Sequence, residues 1–301
     1  MSTPRGAPEP PDGGAADVMP QKAGGWSLRL RLASGLLFVP LLILMARAGG
    51  FVFLAFVAAE VSLGLLEFYG MMFRKGLQPY VRLGLASALG LLWVTFRPHT
   101  PQVDFLLTGA LLLTLALELR RPEARQRVED MAVTVFGVLY VGWLSAHFVM
   151  LRELPWRAGR PYAEGASYVL LAFFLTWSCD TGAYAVGRMF GRNRPWTRIS
   201  PRKSVEGAIG GLGVAVAAGF VARAWFAPYL RVWDAAALGL LVGVFAQVGD
   251  LVESLLKRDS AHGDSSDFIP GHGGILDRFD SLYFAAPLVF YYLKVSVLGV
   301  P

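Results

Sequence analysis

Apolar residues run along this chain in long, nearly unbroken stretches divided by short polar breaks. Nine stretches stand out, at residues 29–47, 51–72, 82–96, 103–119, 131–151, 166–187, 205–226, 234–256 and 281–299. A helix of about 20 apolar residues crosses a bilayer core, and most of the nine are close to that length. Strands of a membrane barrel would alternate apolar and polar positions, which these stretches do not. The pattern therefore predicts an all-α fold, a polytopic membrane helix bundle of about nine transmembrane helices. A hydrophobic share of 54% in 301 residues agrees, being above that of an ordinary soluble domain.

The polar breaks orient the bundle. If the breaks are assigned to alternate sides, the N-terminal side collects 20 of the 28 Lys and Arg residues, among them Arg74, Lys75, Arg120, Arg121, Arg125, Arg127 and the group from Arg188 to Lys203. An excess of Lys and Arg marks the cytoplasmic side, so the N-terminus is expected there. The net charge of +6 then faces anionic headgroups or nucleotide phosphates. The cations are scattered over loops between greasy helices, which speaks against nucleic acid as a partner. Residues 1–27, rich in Pro, Gly and Ala, read as a disordered cytoplasmic tail. No signal-peptide pattern precedes the first apolar stretch, which is long enough to remain as an anchor. Residues 28–165 then form N-terminal transmembrane helices, and 166–301 a C-terminal transmembrane catalytic region. The single cysteine, Cys179, excludes an internal disulfide and lies in an apolar stretch, where it reads as a small buried hydrophobe.

Two polar clusters interrupt the hydrocarbon. The first runs from Asp180 to Gly211. Asp180 sits within the sixth stretch, where a carboxylate costs roughly 2.5–3.5 kcal/mol to insert, so it is expected to face a polar cavity. Arg188 to Arg198 fit a cytoplasmic loop obeying the charge rule as well as a binding surface. Ser200, Pro201, Arg202, Lys203 and Ser204, with Glu206 and Gly207 after them, lie where a helix begins, a place suited to phosphate. Capping accounts for Ser204 and Glu206 alone, but not for the neighbouring cations.

In the second cluster, Asp250, Glu253, Ser254 and Lys257 fall at i, i+3, i+4 and i+7, on one helical face. Two carboxylates there call for pairing or a metal, and an Asp250–Lys257 structural pair is one solution. Pro270-Gly271-His272-Gly273-Gly274 forms a tight turn whose amides can approach a ligand, and Asp277, Arg278, Asp280 and Ser281 open the last stretch. The turn lacks the Walker A spacing. The other histidines show no zinc-ligand spacing with His272, whereas carboxylates beside hydroxyls suit hard cations such as Mg²⁺.

These residues resemble the signature of the phosphatidate cytidylyltransferase (CDP-diacylglycerol synthase) family. Ser254, Lys257, Arg258, Asp264, Ser266, Pro270, His272, Gly273, Gly274, Asp277, Arg278 and Asp280 stand in its register. The Asp180–Tyr184 segment, Ile199–Ser204 with Glu206-Gly207, and the Gly249-Asp250 step are similar too. The likeness covers residues 28–299, with its specific motifs in 177–281. One position departs: the family's Lys before Asp264 is Gly263 here, with His262 beside it. The resemblance implies transfer of a cytidylyl group from CTP to phosphatidate, giving CDP-diacylglycerol and pyrophosphate. It implies catalytic roles for Asp250, Lys257, Arg258, Asp277, Arg278 and Asp280. It implies substrate binding by Asp180, Ser200, Pro201, Lys203, Ser204, Glu206, Ser254, His272, Gly273 and Gly274. Mg²⁺ is the expected cofactor, with Asp250 and Asp277 as its ligands. The expected partners are CTP, phosphatidate and membrane lipid, with a homodimer admitted, and the expected location is a bacterial cytoplasmic (inner) membrane.

The chemistry fits the residues independently. A phosphomonoester is already largely ionised at neutral pH, so the obstacle is the approach of an anion to a polyanion, not the lack of a base. Fixed cations and metal ions remove it. Two other readings compete. Another CTP-dependent membrane-lipid enzyme, of the polyprenol kinase type, would show similar clusters. An ion-coupled transporter would use Asp180, Asp250 and Glu253 as intramembrane ligands, but the repeated pair of interrupted helices it calls for is not found.

Overall fold

The computed structural model describes residues 27–97, 103–121, 127–260 and 274–300, with side chains of the first helix from residue 37 onward. The expected N-terminal tail lies outside the described residues except for Ser27. The helices are α1 (Ser27–Ala48), α2 (Gly50–Arg74), α3 (Val81–Phe96), α4 (Val103–Glu118), α5 (Arg127–Gly137), α6 (Leu144–Arg157), α7 (Glu164–Phe190), α8 (Val205–Trp225), α9 (Val232–Asp259) and α10 (Leu276–Tyr292). A π-helical turn, Val138–Trp143, joins α5 to α6 without a break, and another, Leu293–Val297, extends α10. Among the described residues there are thus nine continuous helical rods and no strand. They correspond one to one with the nine apolar stretches. Five rods are long and apolar enough to cross a membrane: Gly50–Arg74, Arg127–Arg157, Glu164–Phe190, Val205–Trp225 and Val232–Asp259. The protein is an all-α membrane bundle.

Several rods outrun their apolar stretches, and the reason is polar bonding at their ends. The fifth was expected at 131–151 and extends over Arg127–Arg157. At its start Asp130 accepts the Gln78 amide at 2.6 Å and pairs with Arg121 at 3.2 Å. At its far end the buried Arg152 donates to the carbonyls of Ala46 (2.6 Å), Tyr162 (3.0 Å) and Arg47 (3.4 Å), with its guanidinium 4.0 Å from the Tyr162 ring centre. The Ala46 and Arg47 carbonyls close α1, so Arg152 places its charge at the negative end of that helix. A charge with such partners continues a helix past the point where hydropathy alone would end it.

Loops assigned to one side of the membrane meet in space. Lys75, after α2, pairs with Asp259 at the end of α9, and Arg258 bonds the Ile199 carbonyl in the α7–α8 loop. These contacts agree with the alternation used to sort the charges.

Helices α7, α8 and α9 pack along their lengths, and α10 lies against α9 and α6. Phe279 fixes the rotation of α10 about its axis. It meets Phe38, Phe148 and Phe173 edge-on at centroid distances of 6.2, 6.1 and 6.0 Å, within an extended apolar core. Edge-to-face pairs of this kind have a preferred geometry as well as area.

Candidate active site

Helix α9 presents Asp250, Glu253 and Lys257 along one face, and α10 brings Asp277 and Asp280 to it. Lys257 Nζ lies between two carboxylates, 2.7 Å from Glu253 Oε1 and 2.6 Å from Asp277 Oδ1. Asp250 Oδ2 takes a different cation, Lys203 Nζ of the α7–α8 loop, at 2.8 Å. The Asp250–Lys257 pair weighed from the sequence is therefore not formed. Residues seven apart share a face but lie two turns apart, whereas Glu253 is one turn from Lys257.

Carboxylate oxygens of Asp250, Glu253 and Asp280 lie within 4.8 Å of one another. Asp180 of α7 is an electrostatic neighbour of both Asp250 and Asp280. Five carboxylates (Asp180, Asp250, Glu253, Asp277 and Asp280) thus gather around Lys203 and Lys257. Glu253 is buried and Asp277 half-buried, so water screens the charge of these two poorly. Three convergent hard oxygen donors fit a divalent cation of the Mg²⁺ kind. Asp250, one of the two ligands expected from the sequence, belongs to this trio. Asp277 lies next to it, across Lys257, and Glu253 and Asp280 complete the three.

Close approach of α9 and α10 depends on Gly249. A Cβ there would stand 2.6 Å from the Asp280 carbonyl oxygen, 2.9 Å from the Phe284 ring and 3.2 Å from the Ser281 Cα. Backbone cannot yield as a side-chain tip can. Gly249→Ala is therefore expected to push α10 away and separate Asp280 from Asp250. Turnover should fall by at least about tenfold, since misplacement by about 1 Å can cost 10²-fold. Steady-state rates on the folded variant check this, and an unchanged rate would show that the site tolerates the shift.

Beside the carboxylates lies a cavity of about 700 Å³ between α7, α8, α9 and the α7–α8 loop. It is lined by the charged residues Asp180, Arg188, Arg194, Arg202, Lys203 and Asp250, with Ser200 and Trp196 from the loop, and by apolar residues that include Ile209, Leu212, Val244 and Val248. One cavity therefore offers both cations and hydrocarbon.

The loop is held by residues that the sequence had grouped with the binders. Ser204 Oγ accepts the Gly207 amide at 3.1 Å, an N-cap of α8. The Glu206 carboxylate accepts the Arg192 amide at 3.1 Å and the Asn193 amide at 3.2 Å, which closes the loop onto α8. The Pro201 carbonyl receives Arg194 at 3.3 Å. Arg258 anchors the loop through Ile199. Ser200, Lys203 and Ser204 line the cavity, while Pro201, Glu206 and Arg258 brace the loop that carries them.

Ser254 is half-buried on α9, Arg278 half-buried in the first turn of α10, and Gly274 buried just before it. His272 and Gly273 lie outside the described residues, as do His262, Gly263, Asp264, Ser266 and Pro270. Arg188, Arg194, Trp196 and Gln247 also line the cavity. The first two read equally well as loop charges. Gln247 carried one usable signal, an amide within an apolar helix. Its Nε2 donates to the carbonyls of Gly243 (2.6 Å) and Ala208 (3.1 Å), tying α9 to α8.

Comparison with known proteins bears on this arrangement. A sequence model of the cytidylyltransferase family matches residues 29–296. A phosphatidate cytidylyltransferase of Synechocystis sp. is 36% identical over 285 residues, covering 87% of this chain and 95% of the relative. One from Staphylococcus aureus is 35% identical over 260 residues, covering 84% and 93%. One from Staphylococcus epidermidis is 32% identical over 258 residues, with the same coverage.

Proposed function

This chain belongs to the cytidylyltransferase family, and on that premise we propose that it transfers a cytidylyl group from CTP to phosphatidate, giving CDP-diacylglycerol and pyrophosphate for phospholipid synthesis. The observation that carries the reading is the juxtaposition of the carboxylate group with a cavity lined by both cationic and apolar side chains. Such a cavity suits a lipid phosphate and a nucleotide triphosphate together. Phosphatidate would enter sideways from the bilayer, with its glycerol end toward Ile209 and Val248. CTP would come from the cytoplasm, the side on which we place the N-terminus.

A phosphate oxygen of phosphatidate attacks the α-phosphorus of CTP. The new P–O bond forms as the bond to the bridging oxygen breaks, and pyrophosphate leaves with that electron pair. Arg188, Arg194, Arg202 and Lys203 would hold the phosphates and offset their mutual repulsion. Arg258 braces the loop that carries these cations through the Ile199 carbonyl, and Arg278, in the first turn of α10 beside Asp277, would add a further phosphate contact. No general base is needed, because the nucleophile arrives ionised. Asp250, Glu253 and Asp280, with Asp277 adjacent, would hold Mg²⁺, which supplies charge neutralisation at the transferring phosphoryl group. Residues 166–301 form the catalytic region in this reading, and the bacterial inner membrane is its place. A homodimer is the proposed assembly, checked by mass measurement in detergent.

The decisive experiment incubates purified protein with labelled CTP, Mg²⁺ and phosphatidate in detergent. Pyrophosphate release that requires all three supports the proposal. Release from CTP without phosphatidate, or none at any Mg²⁺ concentration, would sink it.

A further inference from the structure

Two glutamates on α2, far from the catalytic motifs in sequence, hold α10 at two points. Glu67 is buried, and its carboxylate meets the start of α10. The Ile275 amide donates to Oε1 and the Leu276 amide to Oε2, each at 2.9 Å. The residue that opens α10, Ile275, has no side-chain cap of its own. Glu67 thus caps a helix of which it is not part, and places a negative charge at its positive end. Two turns away, the buried Glu60 accepts the Tyr283 hydroxyl through Oε1 at 2.8 Å.

Both contacts bracket Asp277 and Asp280 along α10. Glu60, Gly64 and Glu67 fall at i, i+4 and i+7, so they form one stripe on α2. At Gly64 a Cβ would come within 3.1 Å of the Tyr283 hydroxyl, so the small residue leaves Tyr283 its place. The Tyr140 ring, on the π-helical turn, stands edge-on to Tyr283 at 5.4 Å. A capped N-terminus sets how far α10 slides along its axis. A second bond about two turns along opposes its rotation, as the Phe279 contacts do. A carboxylate in a membrane helix is costly, and two of them directed at the same neighbouring helix require a use beyond packing.

We propose that Glu67 and Glu60 are positioning residues that fix α10 in register with α9, so that Asp280 and Asp277 meet Asp250 and Glu253. This rests on the function proposed above. It also assigns the N-terminal half a part in the site that its hydropathy does not disclose. Because Glu67 fills the α10 N-terminus, the substrate phosphates fall to the cations that line the cavity.

Mn²⁺ binding to the full-length protein in detergent, followed by electron paramagnetic resonance, tests the clamp without relying on turnover. Glu67→Gln keeps the size but offers one acceptor to two amides. Tyr283→Phe removes only the hydroxyl. Each is expected to weaken Mn²⁺ binding and to raise the Mg²⁺ needed for half-maximal pyrophosphate release, by about tenfold for Glu67→Gln, as for partners one contact removed from metal ligands. The Michaelis constant for CTP at saturating Mg²⁺ should stay within about twofold, because no CTP contact is lost. A folded Glu67→Gln protein with wild-type Mn²⁺ affinity overturns the clamp. If Glu67→Gln does not fold, Tyr283→Phe decides by the same reading. A wild type that neither binds Mn²⁺ nor releases pyrophosphate strikes the catalytic reading and the clamp together. A wild type that does both, beside unaffected variants, strikes the clamp alone.

Discussion

Asp250→Asn is expected to leave a folded protein whose turnover is lower by about 10² to 10³-fold. Asp250 joins both halves of the site: it belongs to the three-carboxylate group and also pairs with Lys203 at 2.8 Å. Asparagine keeps the shape and one oxygen but removes the charge that both a divalent cation and Lys203 require. Loss of a ligand to a Lewis-acidic metal forfeits several kcal/mol of transition-state stabilisation, and each 1.4 kcal/mol is tenfold in rate. The side chain is 37% exposed, so the loss of its ion pair should cost little stability. The measurement is the rate of pyrophosphate release against Mg²⁺ concentration, with thermal unfolding as the control for folding. A folded variant with near-normal rate and unchanged Mg²⁺ dependence would remove Asp250 from the site. Asp180→Asn should cost less, since Asp180 lies outside the trio.

What the sequence disclosed and what it concealed follow from range. Helix-length apolar stretches are local, and all nine rods among the described residues lie where those stretches fall. Asp250, Glu253 and Lys257 share a face by helical spacing alone, so their convergence was legible as well. Which lysine pairs with which carboxylate was not. Spacing brings Glu253 within one turn of Lys257, but that Asp277 arrives from α10 to share Lys257, and Lys203 from the α7–α8 loop to take Asp250, lies beyond its range. The resemblance implied substrate binding by Ser204, Glu206 and Pro201, with capping already open to the first two. Their bonds to Gly207, to the Arg192 and Asn193 amides, and from Arg194 close the loop, and Ser204 lines the cavity as well. Glu60 and Glu67 were the least legible. Their partners lie more than 200 residues on, and no periodicity within α2 points to α10.

Lys257→Met should harm folding and activity together, and separating the two effects identifies what Lys257 does. Its Nζ lies 2.7 Å from Glu253 and 2.6 Å from Asp277, and only 15% of the side chain is exposed. Methionine fills similar volume without charge, so the apolar stem is replaced and the cation alone is lost. Two carboxylates are then left facing each other in a poorly hydrated place. Removing one partner of a buried ion pair costs about 3–5 kcal/mol, because the other charge is stranded. Thermal unfolding of Lys257→Met should therefore fall well below wild type, and turnover should drop by at least about tenfold. Adding Glu253→Gln to Lys257→Met removes one stranded charge, so much of the lost stability should return. Activity should not return with it, because Glu253 belongs to the carboxylate trio. If the double variant recovered both stability and rate, Lys257 and Glu253 would be a structural pair, and the divalent site would have to be built from Asp250 and Asp280 with Asp277. If it recovered neither, the ion pair with Asp277 would be the contact that holds α10 against α9. High Mg²⁺ offers a further discriminant. A divalent cation can substitute for the missing ammonium between the carboxylates, so raising Mg²⁺ should stabilise Lys257→Met more than wild type, by the linkage of binding to folding. Equal stabilisation of the two proteins would argue that no cation enters the group left open by the lysine.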